Sequence, residues 1–168
     1  VIEDRADMNI TNCKITNNAC DANGGGLYIH YSATNITIVN IDSTEISGNT
    51  SVSSYGLPSG HGGGICIFSS ITTNGVDVNI SHSVIKSNIA HTGGGIYSSE
   101  SDVDITYTEI SDNYADGDGG GITMSSHPSV TLNLINVTLS GNSAPTGPSI
   151  LLAHQGSSAN ILNSIISN

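Results

Sequence analysis

An aliphatic residue followed three positions later by asparagine recurs along the whole chain. The pairs are Ile15/Asn18, Ile46/Asn49, Ile85/Asn88, Ile110/Asn113, Leu139/Asn142 and Ile165/Asn168. Successive asparagines are 31, 39, 25, 29 and 26 residues apart. A repeat of this length marks a stack of small units, none of which can bury its apolar face without neighbours. The shortest steps show the bare unit, about 25 residues, and the longer steps carry insertions.

Two further aliphatic columns precede each asparagine. They are Met8/Val39/Val78/Val103/Leu132 and Ile10/Ile41/Ile80/Ile105/Leu134. Spacing of two is the mark of a strand with one buried face. A second alternating pair follows each glycine cluster: Leu27/Ile29, Ile65/Ile67, Ile96/Ser98, Ile122/Met124 and Ile150/Leu152. Each unit is thus expected to hold three short strands. No window keeps a helical period, because Gly, Asn, Ser and Thr interrupt all of them.

The corners have their own chemistry. Asparagine tolerates left-handed backbone, and its amide can bond the asparagine one rung away. Asn18, Asn49, Asn88, Asn113 and Asn142 are therefore expected to form an inward ladder that satisfies buried corner groups. Two residues later the column is small: Cys20, Ser51, Ala90, Ala115 and Ala144. Triple glycines at 24–26, 62–64, 93–95 and 119–121 permit positive φ and close approach of rungs. The final copy reads Gly147-Pro148-Ser149 instead.

Gly-Gly-Gly-Ile/Leu alternating with Ile/Leu-x-x-Asn resembles the Gly-Gly-Ala-Ile and Phe-x-x-Asn elements of chlamydial polymorphic outer-membrane proteins and related bacterial and archaeal surface repeats. The resemblance covers nearly all of the chain and implies an all-β, right-handed parallel β-helix. About six rungs at ~4.8 Å would make a rod roughly 30 Å long. A single domain over 1–168 is expected, with insertions near 50–60 and 69–75 looping from the rod. The opening acidic stretch has no leader character and the chain closes inside a repeat. The expectation is a piece of a longer chain or a subunit of an assembly.

Charge narrows the partners. The formal net charge is -11, with Arg5, Lys14 and Lys86 the only strong bases. Phosphate binding needs clustered Lys and Arg, so nucleic acid is excluded. No stretch approaches the ~20 apolar residues of a membrane helix, so membrane insertion is not expected. Asn-x-Ser/Thr sequons stand at Asn9, Asn35, Asn49, Asn79 and Asn136. Asn9 and Asn79 alternate with core aliphatics and so face outward. Asn136 reads as a corner, Asn35 as a connection, and Asn49 as part of the inward ladder.

Other candidates are weaker. Asp116 and Asp118, with Asp112, hint at a calcium loop but supply few of the six or more oxygens that calcium takes. His61 and His91 each precede a triple glycine, where two rungs could share a metal. Cys13 and Cys20 read as packed small residues, with a bridge between them left open, and Cys66 shares an outward column with Tyr28, Tyr97 and Thr123. No cofactor is expected. The carboxylates Asp42, Glu45, Asp77, Asp104 and Glu109 look scattered, which speaks against a polysaccharide-cleaving enzyme. The sequence therefore points to a non-enzymatic extracellular or cell-surface structural protein, a filament subunit that associates end to end and carries glycans. The alternative is a surface adhesin, an autotransporter-like passenger fragment.

Overall fold

The computed structural model describes residues 2–3, 7–31, 37–51, 60–69, 76–125 and 130–168. The Asn35 sequon and Arg5 lie outside them, as do most of the expected insertions at 50–60 and 69–75. The described chain is a parallel β-solenoid without a helix. Six strands stack in each of three sheets, so five turns separate the first rung from the last. The first sheet holds Ile2–Glu3, Leu27–Tyr31, Ile65–Ser69, Ile96–Ser99, Ile122–Ser125 and Ile150–Leu152. The second holds Met8–Thr11, Thr37–Asp42, Val76–Ser81, Val103–Thr106, Thr131–Ile135 and Ser158–Leu162. The third holds Lys14–Thr16, Glu45–Ser47, Val84–Lys86, Glu109–Ser111, Thr138–Ser140 and Ile165–Ser167.

A fourth sheet was not expected. Ala19–Cys20, Thr50–Ser51, Ile89–Thr92 and Tyr114–Asp118 pair in parallel just after the ladder asparagines. The small column of the sequence is its inward face, with Ser51, Ala90 and Ala115 fully buried. Two of its strands hold only two residues and show no periodicity, and the register of the two longer ones shifts between Ala90 and Thr92.

The aliphatic columns stack in register. Val39, Val78, Val103 and Leu132 pair rung to rung, as do Ile41, Ile80, Ile105 and Leu134. Ile46, Ile85, Ile110 and Leu139 do the same in the third sheet. All are at most 1% exposed. Each such side chain contributes ~1.5–3 kcal/mol by leaving water, and the core is a continuous column of them.

The left-handed corners fall one residue earlier than expected. Positive φ belongs to Asn17, Gly48, Ser87, Asp112 and Gly141, directly before each ladder asparagine. A second set, Asn12, Ser43, His82, Tyr107, Asn136 and Asn163, marks the corner between the second and third sheets. The ladder asparagines are free to turn inward because their predecessors absorb the bend. Asn18 Nδ2 donates to Asn49 Oδ1 at 2.9 Å, Asn49 to Asn88 at 3.0 Å, Asn88 to Asn113 at 2.9 Å and Asn113 to Asn142 at 3.0 Å. The second glycine of each triple is required by space. A Cβ on Gly63 would lie 2.5 Å from both Gly94 O and Ile89 O. The third glycine packs on the ladder, since a Cβ on Gly64 would stand 3.0 Å from Asn88 Nδ2. Glycine and asparagine columns recur together because they touch.

Candidate functional site

The outer face of the second sheet carries the most developed surface. Strand alternation turns Asn9, Asn40, Asn79, Asp104, Asn133 and Asn160 outward, and the register aligns them across all six rungs. Their amides bond along the rod. Asn40 Nδ2 donates to Asn9 Oδ1 at 2.9 Å, Asn79 to Asn40 at 3.1 Å, and Asn160 to Asn133 at 2.8 Å. In every case the later rung donates to the earlier.

Asp104 breaks this chain of donors. Its carboxylate accepts from Asn133 Nδ2 but has no proton to pass back to Asn79. Asp77 and Asp102 lie in the next outward column, directly before the paired Val78 and Val103. Asp102 accepts from Thr131 N at 2.7 Å. Among the described residues Asp77 has no hydrogen-bond or ionic partner. Partial withdrawal from water raises its pKa above the ordinary carboxylate value, and the charges of Asp102 and Asp104 raise it further.

These residues line a depression of about 260 Å³. It adjoins a groove of about 510 Å³ that shares Asn79, Asp104 and Asn133 and runs on to Asn160, Ile135 and Leu162. Ile135 and Leu162 are 38% and 57% exposed and lie side by side in register. The carboxylates that look scattered along the sequence are thus partly gathered, and Asp102 was missed outright. The signal was available: adding the step of 25 residues to Asp77 gives Asp102, and to Asn79 gives Asp104.

No described base reaches this face. Lys14 and Lys86 both approach Glu45 on the third sheet, at 3.1 and 3.5 Å. Hydrogen bonds from Lys14 and Ser47 hold the Glu45 carboxyl below its ordinary pKa. Asp42, at the border of the second sheet, is lowered by hydrogen bonds from Ser81, His82 and Ser43.

The sequons divide by accessibility. Asn49 is fully buried, and its Nδ2 donates to Ile15 O and Asn88 Oδ1. Asn79 faces outward, but its Nδ2 is held by Asn40. Asn9 is exposed, with its Nδ2 on the open side of the outer ladder. Asn136 projects from a left-handed corner with φ 56°.

The first sheet corrects another expectation. The column of Tyr28, Cys66, Tyr97 and Thr123 faces away from the core, yet Cys66 is 0%, Thr123 1% and Tyr97 7% exposed. The first glycine of each triple folds back over it. A Cβ on Gly62 would meet Cys66 Cα at 2.6 Å, and one on Gly93 would meet Tyr97 Cβ at 2.8 Å. Burial pushes the Cys66 thiol far above its ordinary pKa. All three cysteines are free, Cys13 exposed and Cys20 half-buried.

His61 and His91 turn to different partners. The His61 ring stacks on Tyr97 at 4.4 Å, whereas His91 Nδ1 meets Asp116 Oδ1 at 2.6 Å. Desolvation, then the nearby His91, lowers the His61 pKa. Asp116 and Asp118 both point out from one strand, and among the described residues no three His, Cys, Asp or Glu side chains gather around a metal position.

The end rungs form the third surface. Ile161 and Ile166 occupy inward columns but are 47% and 45% exposed, because no described rung covers them. Met8, Ile10 and Ile15 at the other end are only half-buried. No family of known proteins, no curated protein and no solved structure matches the chain.

Proposed function

We propose that the chain is a non-enzymatic structural module of an extracellular fibre or cell-surface filament, in which copies stack head to tail. The observation that carries this reading is the polarity of the ladders at the two ends. In the inner ladder the earlier rung donates, so the first rung offers Asn18 Oδ1; at the other end Leu139 pairs with Ile166, so Asn168 stands one residue short of the ladder column and its Oδ1 accepts from Ser149 Oγ at 2.6 Å. In the outer ladder the later rung donates, so the first rung offers Asn9 Nδ2 and the last offers Asn160 Oδ1. A third ladder agrees. Cys13 N bonds Thr44 Oγ1 at 3.3 Å, Thr44 N bonds Ser83 Oγ at 3.1 Å, and Val137 N bonds Ser164 Oγ at 3.0 Å.

The open groups of the outer ladder thus have complements at opposite ends, and the apolar columns continue from Ile161 to Ile10 and from Ile166 to Ile15. A heterologous contact of this kind does not close on itself and builds a filament. The resemblance to surface-protein repeats and the acidic polar exterior support an extracellular or cell-surface setting, with a glycan on Asn136, which lies outside the joint.

The joint sets Ser164 of one copy against Cys13 of the next, one rung apart. Adjacent strands lie ~4.8 Å apart, inside the Cα range a disulfide spans. Ser164→Cys should therefore give oxidised, reducible multimers through the native Cys13, and electron microscopy should show thin rods lengthening with concentration. Monomers by sedimentation at every concentration would overturn the reading. The groove on the second sheet favours a second reading, a surface adhesin.

A further inference from the structure

We propose that Tyr107 is the seat of an N-linked glycan carried by Asn136, with the first sugar ring lying on the open face of its phenol. This rests on the reading that Asn136 is modified, and names the residue that receives the sugar. The two residues are neighbours at one corner of the rod. Thr106 pairs with Ile135 in the second sheet, so Tyr107 and Asn136, which follow them, hold the same corner position one rung apart. Tyr107 N donates to Ile135 O at 3.0 Å across that step. The preceding rung places His82 at the same position, since Ser81 pairs with Thr106. The His82 and Tyr107 rings stack at 5.1 Å with their planes 4° apart. That covers one face of the phenol. The other face points along the rod toward the rung of Asn136, and Tyr107 is 59% exposed.

The backbone marks Tyr107 as the exception in its column. Asparagine, aspartate and histidine are the non-glycine residues that tolerate left-handed φ best. Asn12, His82, Asn136 and Asn163 are of these types and Ser43 is small, whereas Tyr107 holds φ 48° with a bulky side chain. Its exposed ring returns little stability for that angle, and backbone outliers of this kind gather where a ligand is held. Tyr107, Glu109, Asn136 and Thr138 line one depression of about 360 Å³. The sequon asparagine, the threonine two residues on and the aromatic ring thus share a single site. A pyranose attached to Asn136 Nδ2 begins just past the amide, level with the outer half of the phenol one rung away. Rungs ~4.8 Å apart bring the apolar C–H face of the sugar onto the π face. Glu109 accepts from Ser111 Oγ at 2.7 Å. A carboxylate has about four acceptor sites, so it has room for the acetamide N–H or a hydroxyl of the sugar.

The test uses the protein secreted from a host that attaches N-linked glycans, trimmed by an endoglycosidase to a single N-acetylglucosamine. Nuclear Overhauser contacts should join the Tyr107 ring protons to that sugar, whose own ring protons should shift upfield. Tyr107→Asn and Asn136→Gln, singly and together, complete a cycle read by thermal melts. A coupling of roughly 2–4 °C is expected, as for one aromatic contact in a chain of this size. The same four proteins made in a bacterial host without glycosylation should show no coupling. Tyr107→Asn puts a favoured residue at the left-handed corner, so it should fold, and the contact in the unmutated protein is readable without any variant. Sugar on Asn136 with no contact to Tyr107, or a coupling that does not depend on the host, would overturn this inference and leave the glycan reading standing. An Asn136 that stays bare while the host glycosylates a secreted control protein would overturn both.

Discussion

Replacing Asn88 by alanine tests the inner ladder where it is most enclosed. The Asn88 side chain is fully buried and makes four hydrogen bonds. It accepts from Asn49 N and Asn49 Nδ2, both at 3.0 Å, and donates to Ile46 O at 3.0 Å and Asn113 Oδ1 at 2.9 Å. Alanine removes all four. Two of the partners keep another bond: Asn49 Nδ2 still reaches Ile15 O at 2.9 Å, and Asn113 Oδ1 still accepts from Asn88 N at 3.0 Å. The Asn49 N–H has no other acceptor and is left buried. An orphaned buried donor costs ~1–3 kcal/mol, and each bond lost elsewhere ~1 kcal/mol. The expected loss is about 4 kcal/mol, large beside the ~5–15 kcal/mol of a typical domain. Asn18 is the internal control. Its side chain makes one ladder bond, to Asn49 Oδ1, which also accepts from Asn18 N. Asn18→Ala should therefore cost only ~1 kcal/mol. Urea denaturation followed by far-ultraviolet circular dichroism measures both. If the two variants fall within about 1 kcal/mol of each other, the ladder does not hold the corner and the reasoning fails.

Three further outcomes follow from the same geometry. The folded pKa of Asp77 is raised, so its ionisation opposes folding: stability is greatest below the unfolded carboxylate value and is lost as pH rises through the folded one. Asp77→Asn should accordingly stabilise the protein at neutral pH and lose that advantage below about pH 3, by thermal melts across the range. A thiol reagent should label Cys13 at once, Cys20 more slowly and Cys66 only after unfolding, by mass spectrometry under native and denaturing conditions. Expression in a glycosylating host should place sugar on Asn136 and none on Asn49, by peptide mapping; glycan on Asn49 would mean that the ladder forms after modification or not at all.

Where the sequence was legible, one residue type met one physical demand on every rung. The aliphatic alternation, the asparagine column and the triple glycines repeat because core, corner and rung contact repeat. The fourth sheet stayed hidden because two of its strands, Ala19–Cys20 and Thr50–Ser51, are too short to carry a pattern, and in the two longer ones the register shifts between Ala90 and Thr92. The left-handed position before each asparagine stayed hidden for the opposite reason: Asn17, Gly48, Ser87, Asp112 and Gly141 share a backbone angle but no side chain. The buried outer column of Cys66 and Tyr97 depends on the glycine turn folding across it, which alternation within a strand cannot anticipate. Asp102 was missed because the carboxylates were compared along the chain rather than one rung apart.

In a stack of identical rungs each polar group is satisfied by its neighbour, and such a surface has little left to offer a ligand. Binding capacity then collects where the repeat changes. Along the outer amide ladder the change is Asp104, which accepts like its neighbours but cannot donate. Along the hydroxyl ladder it is Val137, which carries no hydroxyl between Thr108 and Ser164. At the end rungs it is the uncovered faces of Ile161 and Ile166, which the proposed stacking would cover. Asp104 already accepts from Asn133 Nδ2 on one side, and Asp104→Asn would let the column run as amides from Asn9 to Asn160. The variant also removes one of the charges that raise the Asp77 pKa, so it should gain stability at neutral pH; a lower melting temperature would mean that the carboxylate holds its column better than an amide does.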